Sequence, residues 1–260
     1  ITGTDSGLGL DLLRSFERER DEHDRPTFNV LGTTCEAWDG VGGAEELGEL
    51  VGVDGDEQSK RMYLRYPATD VSLKSFASSI KTRLGDVDIM INNASINGLV
   101  PILDLTMGDL DLFNRVNVAG PIIATKELIK NGCLDRGSVV LFIVSEASWK
   151  PMRYSLAYNL TKASLRMAVE QMARELTIKT GVTFLGVSPG LIAGTKMTDH
   201  VQDNASVIRG WSPEAFMEYW RKSSVTGVPH DPSFLAELIK NILTSPGLDS
   251  MSGAVMNLVS

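Results

Sequence analysis

Cysteine and histidine are scarce in this chain of 260 residues, and their scarcity argues against two kinds of site. Only Cys35 and Cys133 are present, without CxxC spacing. We therefore expect reduced thiols in a cytoplasmic protein rather than a disulfide framework. The three histidines His23, His200 and His230 lie far apart in the sequence and lack the spacing of metal ligands, so we assign no metal.

Long apolar runs and an excess of positive charge are also missing. The longest strongly apolar run covers residues 139–144, which is too short to span a membrane. The chain has 33 acidic and 25 basic residues, a net charge of −8. Nucleic acids and anionic membranes bind basic surfaces, so we expect neither as a partner. A small molecule remains as the expected ligand.

The order of the apolar segments predicts an α/β protein. Short apolar runs alternate with longer segments of helical periodicity, which is typical of a parallel sheet covered by helices on both faces. The length suits a single domain over residues 1–260. Because the chain starts just before a glycine-rich turn, where such a fold has a central strand, we expect further residues upstream of Ile1. Strands are expected at 28–32, 62–66, 87–91, 139–144, 182–187 and 254–259, and helices at 44–51, 109–118, 121–131 and 154–179.

The glycine-rich turn TGTDSGLG occupies residues 2–9 and places Gly3, Gly7 and Gly9 in a GxxxGxG spacing. Glycines allow the backbone to approach a pyrophosphate closely, and the following helix offers free N–H groups at the positive end of its dipole. A strand-to-helix turn that binds nothing would have a similar composition. The motif alone therefore allows both interpretations.

A tyrosine and a lysine four residues apart lie on one strongly helical segment, YNLTK at 158–162. Tyr158 and Lys162 should project from the same face of that helix. A tyrosine pKa is normally about 10, and a nearby ammonium group favours the phenolate, so Tyr158 could act as a general acid or base. Ser145 ends the apolar run at 139–144, thirteen residues before Tyr158, and Ser148 is its rival.

Two other predicted strands end in polar or turn-forming motifs, NNAS at 92–95 and SPGLIAGT at 188–195. Asparagines after an apolar strand suit a backbone that needs side-chain hydrogen bonds near a ligand. The second motif could also be a simple Pro-Gly turn. Asp70 and Val71 are expected to close the strand at 62–66, although Asp70 also fits the N-cap of a helix.

In this order, the motifs resemble those of the classical short-chain dehydrogenase/reductase family over nearly the whole chain. The resemblance implies a doubly wound Rossmann fold and hydride transfer between a nicotinamide coenzyme and a carbonyl or secondary alcohol. It implies that Tyr158 transfers the proton and that Ser145 holds the substrate oxygen. Lys162 would lower the pKa of Tyr158 and bind the nicotinamide ribose, and Asn117 would complete a proton relay.

The resemblance also implies which residues bind the coenzyme. Where the family usually has glycine after the NNA sequence, this chain has Ser95. The implied coenzyme-binding residues are Gly3, Asp5, Ser6, Gly7, Leu8, Gly9, Thr33, Thr34, Asp70, Val71, Asn93, Ala94, Ser95, Tyr158, Lys162, Pro189, Gly190, Ile192 and Thr195.

The choice between NAD and NADP depends on the end of the second strand in the resembling family. Thr33 is expected at the usual acidic position, with Glu36 close behind, and neither GTTCE at 32–36 nor the glycine-rich turn contains Arg or Lys. This acidic setting favours NAD, although a Thr/Ser pair can also hold the 2′-phosphate of NADP.

The region at 196–228 is rich in methionine and aromatic residues. It is expected either to cover the substrate or to pack helices on the core. The resemblance favours the cover and, weakly, a lipophilic substrate of steroid or retinoid type. It also implies a homodimer or homotetramer formed through the helices at 121–131 and 154–179.

A catalytically silent regulator or scaffold with the same fold is the alternative function. Ser95 in place of glycine and the missing acidic residue on the second strand point to it. The presence of all four catalytic-type residues argues against it. Replacing Tyr158 by Phe separates the two hypotheses, because only an enzyme would lose turnover.

Overall fold

The computed structural model describes residues 1–4, 6–25, 27–28, 30–34, 51–53, 56–63 and 70–258. A π-helical turn, Arg115–Ala119, joins two of the helices, and short 3-10 helices occupy Glu146–Ser148 and Leu248–Met251. The helices are α1 (Gly7–Glu17), α2 (Asp70–Arg83), α3 (Met107–Asn114), α4 (Gly120–Lys130), α5 (Leu156–Thr180), α6 (Lys196–Arg209), α7 (Pro213–Ser223) and α8 (Pro232–Leu243). The strands are β1 (Leu31–Thr34), β2 (Val51–Val53), β3 (Asp56–Tyr63), β4 (Ile89–Asn92), β5 (Val139–Ile143), β6 (Thr183–Pro189) and β7 (Val255–Leu258).

The strands form a mainly parallel sheet. One group has the order β4-β5-β6-β7 and is parallel throughout, and a second group has the order β1-β3-β2, with only β2 antiparallel. Residues 1–4 connect the groups, because Thr2 N–H donates to the Ile91 carbonyl (2.9 Å) and Thr33 N–H donates to the Ile1 carbonyl (2.8 Å). The order β2-β3-β1-(1–4)-β4-β5-β6-β7 confirms the predicted doubly wound sheet.

Helices cover both faces of this sheet, and β5 shows the alternation most clearly. All five of its residues are buried. Val140 and Phe142 pack into a core with α2, α4 and α5, whereas Leu141 and Ile143 pack into a second core with α1 and α8. Side chains of successive residues leave a strand on opposite faces, so a strand buried on both faces has to be apolar throughout.

Three predicted boundaries around the first strands were wrong. Strand β1 starts at Leu31 rather than at residue 28, because Phe28 packs edge-on against Phe16 of α1, with ring centroids 5.0 Å apart. Strand β3 starts at Asp56, and its mostly polar sequence DEQSKRMY lacks the apolar signal used to predict strands. Asp70 and Val71 open α2 and do not close a strand.

Other predicted elements agree with the structure to within a few residues, including both long helices near the proposed site. Residues 44–50 of the helix predicted at 44–51 lie outside the described residues, and Val51 belongs to β2. In the described part of the chain, no helix is both long and apolar enough to cross a membrane.

Candidate active site

The carboxyl ends of β4, β5 and β6 meet at one edge of the sheet, together with the turn after residues 1–4. Strand β4 ends at Asn92, β5 at Ile143 and β6 at Pro189. Because these strands are parallel neighbours, the NNAS, Ser145 and SPG motifs that follow them share one edge. Crevices at this edge are where open α/β sheets bind ligands.

Hydrogen bonds fasten the NNAS motif to the glycine-rich turn. The Asn93 side chain donates to the Thr2 and Gly3 carbonyls at 3.0 Å each. In return, the buried Thr2 hydroxyl accepts from the N–H groups of Asn93 (2.9 Å) and Ala94 (3.0 Å). Thr2 was not among the predicted site residues, although it belongs to the TG pair that opens the turn.

The turn leaves no room for side chains at two glycines. A Cβ on Gly9 would lie 1.9 Å from the Gly3 carbonyl oxygen. Gly3 has φ +68°, and a Cβ there would lie 2.9 Å from the Ala94 Cα. Only glycine therefore fits at these two positions, and we call this turn the backbone cradle.

The start of α1 is left without side-chain caps. Within this described helix, Ser6 at the N-cap makes no side-chain capping bond, and the first turn has no acidic residue. Its first N–H groups thus remain available to an anionic group such as a pyrophosphate. The Leu8 side chain packs into the core beside α8, so only its backbone can face a coenzyme.

The segment after β6 lies against the same turn. A Cβ on Gly7 would lie 3.1 Å from the Thr195 Cγ2, which shows how closely the two motifs approach. The Thr195 hydroxyl caps α6 by accepting from Thr198 N–H (3.1 Å), and the Thr198 hydroxyl donates to the Ile192 carbonyl (2.6 Å). The Gly190 N–H, next to Pro189, donates to the Leu258 carbonyl at 3.2 Å.

His230 holds this segment from the other side. Its backbone N–H donates to the Leu191 carbonyl (2.8 Å), and its carbonyl accepts from Ala193 N–H (2.9 Å). Its ring Nε2 lies 2.8 Å from the Leu258 carbonyl. His230 thereby fixes the backbone around Ile192, a role that sequence analysis did not predict.

Tyr158 and Ser145 are brought together as predicted. The Tyr158 side chain is buried, and the Ser145 hydroxyl lies close enough to act on the pKa of its phenol. The Ser145 hydroxyl also accepts from the Ala147 N–H at 3.1 Å. Ser148, the rival residue, has a buried hydroxyl with no hydrogen-bond partner among the described residues. The geometry therefore favours Ser145 as the partner of Tyr158.

Lys162 is buried beneath Tyr158 at the end of β5. Its Nζ donates to the Ile143 carbonyl (2.9 Å) and lies 5.6 Å from the centroid of the Tyr158 ring. Burial lowers the pKa of Lys162 from 10.5 to about 7. Burial also raises the pKa of Tyr158 above its usual value, and the Ser145 hydrogen bond opposes this only in part. The expected net lowering of the Tyr158 pKa was therefore wrong.

Asn117 lies in the π-helical turn and is almost completely buried. Its side chain accepts from Ile96 N–H (2.8 Å) and donates to the Ile96 carbonyl (2.9 Å) and to the Thr161 hydroxyl (3.1 Å). Thr161 in turn donates to the Tyr158 carbonyl at 2.9 Å. Asn117 thus links the segment after NNAS to the helix that carries Tyr158.

Asn159 was missed by the sequence analysis and holds the loop that follows Ser145. Its amide donates to the carbonyls of Ala147 (2.6 Å) and Lys150 (2.7 Å), and its oxygen accepts from Met152 N–H (3.2 Å). An asparagine inside a strongly helical segment, next to the key tyrosine, was the available signal, because asparagine competes for backbone hydrogen bonds.

The remaining predicted coenzyme residues are placed less completely. Asp5 lies outside the described residues, as do the side chains of Thr34, Asp70 and Val71. The Thr33 side chain is buried, and in the described part of the chain neither its hydroxyl nor that of Ser95 has a hydrogen-bond partner. These assignments stay predictions.

A profile of the short chain dehydrogenase family matches residues 45–206, which is more than half of the chain. The chain belongs to the short chain dehydrogenase family. It is therefore an NAD(P)-dependent oxidoreductase that acts on a small molecule.

Similar proteins support the same assignment. The chain is 29% identical to the 2-dehydro-3-deoxy-D-gluconate 5-dehydrogenase of Formosa agariphila, over 74% of this chain and 68% of that protein. It is 28% identical to the L-2,3-butanediol dehydrogenase of Corynebacterium glutamicum, over 82% of each chain. The structure of an actinorhodin polyketide ketoreductase with NADPH shares the fold, with a TM-score of 0.77, 20% identity and coverage of 99% of this chain and 93% of that chain. These proteins are named as enzymes, and the alternative of a silent regulator gains no support from them.

Proposed function

We propose that this short chain dehydrogenase catalyses reversible hydride transfer between a nicotinamide coenzyme and a carbonyl or secondary alcohol, using Ser145, Tyr158, Lys162 and Asn117. The observation that carries the proposal is the convergence of three side chains at the carboxyl end of β5: the buried Tyr158 phenol, the Ser145 hydroxyl that acts on its pKa, and Lys162, whose Nζ lies 5.6 Å from the Tyr158 ring centroid. A phenol held beside a second hydroxyl can bind one carbonyl oxygen from two sides and donate a proton to it.

Each side chain has a distinct part in this chemistry. Tyr158 donates its proton to the carbonyl oxygen, or accepts it in the reverse direction, while the Ser145 hydroxyl holds that oxygen. Lys162 binds the nicotinamide ribose and stabilises the phenolate once its ammonium is charged. Asn117 completes the proton relay with Lys162, and its hydrogen bonds to Ile96 and Thr161 hold its side chain in position for this role.

The coenzyme, when bound, supplies or accepts the hydride. The backbone cradle at Gly3, Gly7 and Gly9 and the uncapped start of α1 fit its pyrophosphate. The backbone at Ile192 and the Thr195 side chain would meet its nicotinamide end. We propose NAD as the preferred coenzyme, because no Arg or Lys lies in 2–9 or 32–36 to bind a 2′-phosphate.

We propose a single domain over residues 1–260, in which residues 196–228 cover a lipophilic substrate of steroid or retinoid type. Apolar side chains from α6 and α7 support this role by packing on the loop after NNAS and on the residue after SPG. The members of this apolar cluster include Leu99, Leu191, Val201, Ala205, Trp211, Phe216 and Met217.

We also propose a cytoplasmic homodimer or homotetramer formed through α4 and α5. Leu160, Met167 and Ile178 on α5 expose 51%, 53% and 92% of their surface, which a partner subunit would cover. The buried free thiol of Cys133 is consistent with a reducing compartment.

The test is a titration of the purified protein with NADH and with NADPH, followed by reduced-nicotinamide fluorescence, for the wild type and for Tyr158→Phe. We expect saturable binding to both proteins, tighter for NADH, and loss of at least about a hundredfold in carbonyl reduction by the variant, the usual size of a general acid's contribution. Absence of binding by the folded wild type would refute the proposal. Equal turnover by wild type and variant would exclude Tyr158 as the proton donor.

A further inference from the structure

Two arginines share one aromatic ring beside the proposed substrate region. The guanidinium carbon of Arg153 lies 5.3 Å from the centroid of the Tyr154 ring, and that of Arg209 lies 5.2 Å from it. Arg209 also lies 4.5 Å from the Trp211 ring and 5.5 Å from the Tyr219 ring. We call Arg153, Arg209 and the rings of Tyr154, Trp211 and Tyr219 the arginine cage.

The positive charge of the cage is not neutralised by the protein. Among the described residues, no carboxylate lies within ion-pair distance of either arginine, whereas other basic residues nearby do form ion pairs. Lys150 pairs with Glu146, and Glu218 is occupied by Arg221 and Lys222.

Arg209 is the more constrained of the two arginines. Its Nη2 donates to the Arg153 carbonyl, but its buried Nε has no hydrogen-bond partner in the described part of the chain. Burial lowers the pKa of Arg209, and the positive charge of Arg153 acts in the same direction. Cation–π contacts with three rings stabilise the guanidinium, yet among the described residues its Nε–H has no acceptor. An anion would supply the acceptor and also relieve the repulsion between the two cations.

The cage adjoins the proposed active site. Tyr154 lies four residues before Tyr158, and its carbonyl accepts from Val100 N–H at 2.7 Å. The Tyr154 ring packs with Leu99 and Leu191 in the apolar cluster under α6 and α7. A ligand that reaches Tyr158 with its carbonyl and extends over this apolar cluster would approach Arg209 with its far end.

We propose that Arg209, assisted by Arg153, binds an acidic group of the substrate, so that the enzyme acts on carbonyl compounds with an apolar body and a carboxylate or phosphate end. This inference rests on the proposed hydride transfer and specifies its substrate class. The guanidinium is already held in place by the rings of Tyr154, Trp211 and Tyr219, so little side-chain entropy is lost when the anion binds.

The kinetic test compares pairs of related substrates with and without the anionic group. The first set is acetoacetate, levulinate and longer methyl-ketone acids, each against its methyl ester. The second is dihydroxyacetone phosphate against dihydroxyacetone, which separates phosphate from carboxylate recognition. We expect at least one acid to exceed its neutral partner in kcat/KM by about tenfold or more, the size of a charge-assisted hydrogen bond.

The variants assign that preference to the cage. Arg209→Gln should abolish the preference, lowering kcat/KM for the acid until it matches that for the neutral partner measured on the same variant. Arg221→Gln, on the exposed face of α7 and paired with Glu218, is the matched control and should keep the preference. If Arg209→Gln does not fold, Arg153→Gln carries the same test, because Arg153 is exposed.

A readout independent of turnover separates this inference from the proposed function. Trp211 lies in the cage, so its fluorescence should respond to a binding acid and not to the ester, and the response should be missing in Trp211→Phe and in Arg209→Gln. A fluorescence response without any carbonyl reduction would refute the hydride transfer but support the anion site. Equal kcat/KM for acids and neutral partners, or a preference that survives in Arg209→Gln, would overturn the inference.

Discussion

Replacing Lys162 by Met should make the protein more stable near neutral pH and less dependent on pH. Lys162 is 2% exposed, and among the described residues its ammonium donates a hydrogen bond only to the Ile143 carbonyl. Burial lowers its pKa from 10.5 to about 7, so the folded protein holds the charged form at a cost. Methionine has a similar length and volume and carries no charge.

The direction in which the free energy of unfolding changes with pH follows from the number of protons bound to the folded and to the unfolded chain. Below about pH 7 the lysine is protonated in both states, and the folded protein bears the full cost of the buried charge. Between about pH 7 and 10.5 the unfolded chain binds a proton that the folded protein does not, so the free energy of unfolding of the wild type rises with pH. At 1.36 kcal/mol per pKa unit, the rise is about 2 kcal/mol between pH 7, where the folded protein is half protonated at Lys162, and pH 9, and at most about 5 kcal/mol over the whole window.

The assay is urea unfolding of wild type and Lys162→Met at pH 6, 7, 8 and 9 at constant ionic strength, because these pH values lie on both sides of the folded-state pKa of about 7. Groups common to both proteins cancel in the difference, and the raised pKa of Tyr158 keeps that phenol neutral throughout. We expect the variant to be more stable at pH 6, with an advantage that shrinks as the pH rises. A difference that stays constant from pH 6 to 9, or a variant that is less stable at pH 6, would refute the reasoning.

Two further substitutions test the backbone cradle and the loop after Ser145. Gly9→Ala places a Cβ 1.9 Å from the Gly3 carbonyl, so we expect a loss of about 1–3 kcal/mol in the free energy of unfolding, with coenzyme affinity reduced by at least about tenfold. Gly108→Ala, where the nearest atom to a Cβ is 3.5 Å away, is the control, and equal coenzyme affinity in both variants would contradict the steric argument. Asn159→Ala removes three hydrogen bonds to the loop, so kcat/KM should fall while the Kd for coenzyme stays within about threefold and stability falls by about 1–3 kcal/mol. If Asn159→Ala leaves both kcat/KM and the thermal unfolding temperature unchanged, the loop does not depend on Asn159.

The features that sequence analysis placed correctly depend on local chain geometry. The apolar run at 139–144 corresponds to β5, because a strand buried on both faces has to be apolar at every position. The roles of Gly3 and Gly9 could be predicted because only glycine fits at these positions of the turn. Tyr158 and Lys162 face one side of α5 because helical geometry alone places residues four apart together.

The features that it missed depend on contacts between residues distant in the chain. Strand β3 is polar, so its existence rests on pairing with β1 rather than on its own pattern. Asp70 is part of a helix, although a strand end and a helix start look alike at an Asp-Val-Ser sequence. The shared ring of Arg153 and Arg209, from a loop and the end of α6, exists only once the chain has folded.

The pKa values of the site residues show most clearly the difference between what the sequence and what the tertiary structure determines. The spacing of Tyr158 and Lys162 shows that the groups can interact, but their pKa values depend on how completely each is removed from water. That desolvation is produced by the surrounding core, which comes from every part of the fold. The local sequence therefore determines which groups react and in what order they follow along the chain. Their protonation states, and the shape and charge of the substrate region, depend on packing between residues distant in the chain.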